Sequence, residues 1–115
     1  MVILNHKVSL KDLEHLEPET YFDDMMKCVV DIDKELIAVS AELHSDLVEY
    51  LLNNGSEQKY LYGINILYDD GEIEYDSLIN PPINRDAGYP RAGRYVADPD
   101  ARNKIAEVVQ KWIEI

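Results

Sequence analysis

Asp70-Gly71, set between two runs of alternating apolar residues, constrains this chain more than any other dipeptide in it. The pair suits a type I′ turn, in which both central residues take φ > 0, and a two-residue turn dictates how its flanking strands pair. Residues 61–68 and 72–80 then form a hairpin with Tyr62 opposite Ile79, Ile64 opposite Ser77, Ile66 opposite Tyr75 and Tyr68 opposite Ile73. Strand side chains alternate between faces, so these residues make a core face. The other face sets Leu61 opposite Asn80, Gly63 opposite Leu78, Asn65 opposite Asp76 and Leu67 opposite Glu74. Asn65 and Asp76 are a polar pair beside a residue with no side chain, which makes this face the first place to look for a site.

The remaining pattern supplies partners for that hairpin. Val2 to Leu4 reads as a short strand, and Ser9 with Asp12 forms a capping box for a helix carrying Leu10, Leu13 and Leu16. Tyr21, Phe22, Met25 and Met26 recur at helical spacing, which predicts a second helical piece ending near Lys27. The Val- and Ile-rich runs 27–33 and 35–40 predict a first hairpin. Ser45 is placed to cap a helix whose apolar stripe is Leu47, Val48, Leu51 and Leu52 and which stops at Asn54-Gly55. Asp98 as cap and Pro99 at the first position open a helix that runs to the C-terminus with Ala101, Ile105, Val108, Val109 and Trp112 on one face. Trp112 should anchor that helix on the sheet, with Gln110 and Lys111 toward solvent.

A chain of 115 residues has room for one domain, residues 1–115, that buries about two thirds of its unfolded surface. Its single cysteine, Cys28, excludes an internal disulfide and lies in an apolar run as a structural thiol. No run approaches the roughly 18 apolar residues of a membrane span, and the N-terminus lacks a signal-peptide pattern, so the expected location is the cytoplasm. A formal net charge of -12 argues against general nucleic-acid binding. Residues 84–94 nevertheless hold Arg85, Arg91 and Arg94 against one aspartate, a local +2 that leaves -14 on the rest of the chain.

Few chemical motifs are present. Dinucleotide and P-loop glycine patterns, Cys-x-x-Cys pairs and the Gly-x-Ser-x-Gly elbow are all absent from the sequence, so no cofactor is expected. His44 and Asp46 do not close a metal site, and no metal is expected. With Asp76 they are the candidates for proton transfer in an alternative, hydrolase-type reading. Asn65, Asp76 and Asn80 on the hairpin, followed by Arg85, Arg91 and Arg94, whose guanidinium forks suit carboxylate or phosphate, are the candidates for binding a small anion or an acidic partner. The same arginines pairing with the chain's own carboxylates is the structural alternative.

The blocks Val29-Val30-Asp31-Ile32-Asp33, Ala41-Glu42-Leu43-His44-Ser45-Asp46, Asn54-Gly55-Ser56-Glu57-Gln58, Tyr62-Gly63-Ile64-Asn65, Tyr75-Asp76-Ser77-Leu78-Ile79-Asn80 and Asp98-Pro99-Asp100 occur in this order. Over about residues 27–110 the chain thereby resembles a small prokaryotic family catalogued only as a domain of unknown function. Pro81-Pro82 and Gly88-Tyr89-Pro90 depart from the family pattern, in which the corresponding loop is shorter. The resemblance implies no activity; it implies that the polar residues of the blocks belong together.

The expected fold is α+β and two-layered, an antiparallel sheet of two hairpins covered on its Tyr62/Ile64/Ile66/Tyr75 face by two or three helices, with a mixed sheet as the alternative. The expected function is a small binding or interaction module using the polar hairpin face and the arginine-bearing loop. A hydrolase built on His44, Asp46 and Asp76, and a structural homodimer that buries the same face, are the alternatives.

Overall fold

The computed structural model describes residues 1–16, 22–76 and 99–114. In chain order these form β1 (Val2–Ile3), β2 (Val8–Ser9), α1 (Leu10–His15), β3 (Met25–Asp31), β4 (Leu36–Val39), α2 (His44–Asn53), a 3-10 turn (Gln58–Tyr60), β5 (Leu61–Leu67), β6 (Ile73–Asp76), α3 (Pro99–Trp112) and β7 (Ile113–Glu114). Five strands make one antiparallel sheet in the order β1-β4-β3-β5-β6, and β2 pairs with β7 in parallel as a separate ribbon. The fold is α+β, with three helices packed on the sheet. Because α2 carries the chain back over the sheet, β5 runs parallel to β4 and pairs with β3, which lies between them.

Strand alternation sorts the core into two clusters. Met26, Cys28, Val30, Ile37, Val39, Tyr62, Ile64 and Ile66 pack with Leu13 of α1 and with Ile105, Val108 and Val109 of α3. This is the face expected to be covered. Val29, Ala38 and Leu61 point the other way and pack with Leu47 and Leu51 of α2. One covered face therefore accounts for two of the three helices, while α2 covers part of the opposite face.

The second hairpin differs from expectation by two residues. Among residues 69–71 only Gly71 has positive φ, at 75°, so the two-position requirement of a type I′ turn is not met. A four-residue loop, 68–71, forms instead. Leu67 N–H donates to the Glu72 carbonyl at 3.0 Å, Gly71 N–H to the Leu67 carbonyl at 2.9 Å, and Glu72 N–H to Asp70 Oδ1 at 2.9 Å. Asn65 consequently pairs with Glu74, not with Asp76, and Asp76 pairs with Gly63. A shift of two leaves each residue on its expected face, because strand side chains repeat every two residues.

The first hairpin closes in the same manner, with four residues between Asp31 and Leu36 and the last of them, Glu35, at φ 56°. Asp31 is buried, and its Oδ1 accepts from the N–H groups of Asp33 and Lys34, both at 2.9 Å.

Three further expectations are corrected. Met25, Met26 and Lys27 belong to β3, because the ladder to β5 runs from Met25↔Leu67 to Asp31↔Leu61 and outweighs the local helical spacing. Helix α2 begins at His44 after an extended Leu43, so Ser45 lies inside it and does not cap it. Helix α3 stops at Trp112, and Ile113–Glu114 pair with β2. The Ser9 capping box is present, with both reciprocal bonds to Asp12. Trp112 is half-buried against the α1/α3 core and donates its indole N–H to the Glu35 carbonyl at 2.8 Å, while Gln110 and Lys111 are exposed as expected. No helix among the described residues is long and apolar enough to cross a membrane.

Candidate functional site

The register of β3, β5 and β6 brings three polar residues into one cross-strand row on the α2 side of the sheet, with Lys27 paired to Asn65 and Asn65 paired to Glu74. The next row along is Val29, Gly63 and Asp76. Asn65 stands at the centre. Its Nδ2 donates to Glu74 Oε1 over a long 3.4 Å, and its Oδ1 is buried with no partner among the described residues. A buried acceptor without a donor costs about 1–3 kcal/mol, so it marks either a strained position or one completed by something else. Lys27 is half-buried, with its ammonium 5.1 Å from the centroid of the Phe22 ring.

His44, the first residue of α2, joins this region from above the sheet. Its Nε2 lies 2.8 Å from the Ile64 carbonyl oxygen. A carbonyl only accepts, so Nε2 carries the proton, and in the neutral ring the lone pair is on Nδ1. The contact fixes the start of α2 against β5 one residue from Gly63. His44 and the backbone of Asp76 thus meet the same stretch of β5. Asp46 is exposed in the first turn of α2, and its N–H bonds the Leu43 carbonyl at 3.2 Å.

A second polar cluster lies at the other end of the same face. Ser56 donates its hydroxyl to Asp31 Oδ2 at 2.7 Å, both residues being buried, and Lys34 Nζ bonds the Gly55 carbonyl. With all its described partners inside the protein, this cluster ties the first hairpin turn to the end of α2. Cys28 is fully buried, and its Sγ lies 3.6 Å from the Met26 carbonyl. His6 and His15 are exposed, and no group of three His, Cys, Asp or Glu side chains among the described residues is arranged to hold a metal ion.

Of the residues expected at the site, Asn65 is placed with Glu74 and Lys27, and Asp76 is placed by its backbone opposite Gly63. Asn80, Arg85, Arg91 and Arg94 lie outside the described residues, in the segment that joins β6 to α3. Lys27 and Glu74 were not among the expected site residues. Lys27 lies in a stretch with helical spacing, and a two-residue turn would set Glu74 opposite Leu67.

A family model described as a protein of unknown function (DUF5674) matches residues 2–112. The chain belongs to this family. The match includes the 27–110 region of the resemblance and extends it to the first strand and through α3. No curated protein and no solved structure matches the chain. Within the family's span the sequence blocks meet in space: Val29–Val30 pairs with Tyr62–Gly63, and Gly63–Ile64 with Tyr75–Asp76, in the sheet. Val29–Asp33 contacts Asn54–Gln58 through Asp31 and Ser56, and Ala41–Asp46 contacts Tyr62–Asn65 through His44 and Ile64.

Proposed function

We propose that this family member is a small cytoplasmic binding module that takes a ligand bearing both a hydrogen-bond donor and an anionic group, such as an acidic peptide. The observation that carries this is Asn65 Oδ1, a buried acceptor with no described donor, on the row it shares with Lys27 and Glu74. A peptide N–H would satisfy that oxygen. Glu74 repels an anion placed directly over Asn65, so the anionic groups fall to Arg85, Arg91 and Arg94, on the segment that starts from the end of β6. Guanidinium forks bind carboxylates in two-point fashion.

Titration of the isotope-labelled protein with a tetraglutamate peptide, and separately with inorganic phosphate, tests this by NMR. The peptide should shift the Asn65 side-chain amide together with the amides of residues 84–94, and phosphate only the latter. Both effects should fall with salt, because exposed charges are screened over about 8 Å at physiological ionic strength. Arg91→Ala should weaken both. Absence of salt-sensitive shifts in residues 84–94, with lowered stability in Arg91→Ala, would make the arginines structural and overturn the proposal.

A second reading is favoured by the His44–Ile64 bond, which holds an imidazole in one tautomer beside the stretch of β5 that Asp76 pairs with. Here His44 moves a proton and Asp46 and Asp76 orient it or the substrate. Turnover of simple phenyl esters or phosphates that disappears in His44→Gln would support it; a chain inert toward both panels would reject it.

A further inference from the structure

Strand β6 pairs with β5 on one side and with no described strand on the other. Since Leu67 N–H donates to the Glu72 carbonyl, the alternation of the antiparallel ladder turns the backbone groups of Glu74 toward β5 and those of Ile73 and Tyr75 outward. Those outward N–H and C=O groups have no partner among the described residues. Beside them runs a groove of about 640 Å³ whose lining includes Lys7, Tyr75, Ala106, Val109, Ile113 and Glu114. Arg102 covers Tyr75 from α3, its guanidinium carbon 4.7 Å from the ring centroid. On its opposite face the strand presents exposed Glu74, with exposed Glu72 just before it.

We propose that the outer edge of β6 and this groove receive an extended segment of a partner protein in which basic and apolar residues alternate. An unpaired strand edge is a template for backbone pairing, and side-chain pockets along it supply specificity. The incoming strand bonds Ile73 and Tyr75 through its apolar positions, whose side chains enter the groove beside Val109 and Ile113. Its basic positions then lie on the other face, opposite Glu72 and Glu74, where opposite charges attract across the pair.

Charge also decides against a second copy of this chain. For two antiparallel β6 strands to bond edge to edge, Ile73 and Tyr75 must pair with outward-pointing residues of the copy. Glu74 then falls opposite an acidic position of the copy in each of these registers, which is repulsive. The edge adjoins the Asn65 face, since Glu74 pairs with Asn65; protection of Ile73 and Tyr75 tests the edge and the Asn65 side-chain shift tests the face, so the two proposals fail separately.

The test is amide hydrogen exchange on the intact protein with a short acetylated and amidated peptide alternating lysine and valine. Exchange at Ile73 and Tyr75 should slow on the order of tenfold at saturation, while a glutamate–valine peptide does nothing. The lysine peptide carrying N-methyl groups on its valines keeps its charge but loses the edge hydrogen bonds, and should not protect. Glu72→Lys, a change at an exposed position outside the Asn65 row, should weaken protection by the lysine peptide. Equal binding of the methylated peptide, or no protection of Ile73 and Tyr75, would overturn the proposal. Self-association seen by sedimentation, with protection of the same amides in the absence of peptide, would overturn it in favour of a second copy.

Discussion

Ser56 donates its hydroxyl to the fully buried carboxylate of Asp31 at 2.7 Å, joining residues that are far apart in the chain. The same carboxylate takes the N–H groups of Asp33 and Lys34, so three donors replace the water it gives up. Removing one of them leaves a charged oxygen buried without compensation. Ser56→Ala should therefore cost about 2 kcal/mol in urea unfolding, and Asp31→Ala about 3 kcal/mol or more because the turn loses its organising acceptor. If both variants unfold at the wild-type urea midpoint, the cluster contributes nothing to the fold.

Trp112 holds the end of α3 against the first hairpin in two ways that substitution can separate. Its ring packs on the α1/α3 core, and its N–H reaches the Glu35 carbonyl at 2.8 Å. Trp112→Phe keeps most of the packing and loses the bond, at about 1 kcal/mol. Trp112→Ala loses both and should cost about 3 kcal/mol, the low end for a large aromatic because the ring is only half-buried. Equal thermal unfolding of the two variants would assign all of its effect to the bond. The neighbouring Lys111–Glu35 ion pair, 3.8 Å apart and exposed on both sides, should be worth little.

The two hairpin loops share a backbone shape but not a residue type at the position that needs it. Gly71 has φ 75° and Glu35 has φ 56°. Left-handed backbone costs a side-chain-bearing residue about 1–2 kcal/mol, so Gly71→Ala should destabilise by about 1 kcal/mol. Glu35→Gly should relieve similar strain and be offset in part by the extra freedom of the unfolded chain, giving an unchanged or slightly higher melting temperature. A melting temperature lowered as much by Glu35→Gly as by Gly71→Ala would show that Glu35 is not strained.

These turns also explain how far the fold could be read in advance. The faces of Tyr62, Ile64 and Ile66 against Gly63 and Asn65 follow from a period of two and survive any even shift, whereas the partner of Asn65 depended on the backbone angle of a single residue, Asp70. The Ser9–Asp12 capping box and Pro99 at the first position of α3 were legible because they are local, whereas the start of α2 at His44, ahead of the expected Ser45 cap, was not. The strand at Met25 was not, since what makes it extended is the ladder to Leu67, a contact distant in sequence. For the same reason the Lys27–Asn65–Glu74 row, the Asp31–Ser56 bond and the contact of His44 with Ile64 needed the assembled sheet. Asn65 was legible as a polar residue among apolar neighbours, but not as an unsatisfied one.

Asn65 offers the sharpest separation of stability from binding. Its Oδ1 is buried without a described donor, its one side-chain bond spans 3.4 Å, and asparagine is a poor strand residue. If the residue serves only the fold, its polar contacts are worth keeping and Asn65→Val should destabilise. If it is retained for a ligand, valine removes an unsatisfied acceptor from a half-buried strand position and should stabilise the chain by about 1 kcal/mol, raising the melting temperature by about 4 °C. The same substitution should abolish the tetraglutamate response at position 65 and its neighbours on β5 while leaving the phosphate response of residues 84–94 intact. A variant that melts lower than wild type and binds the peptide equally well would return Asn65 to a purely structural role.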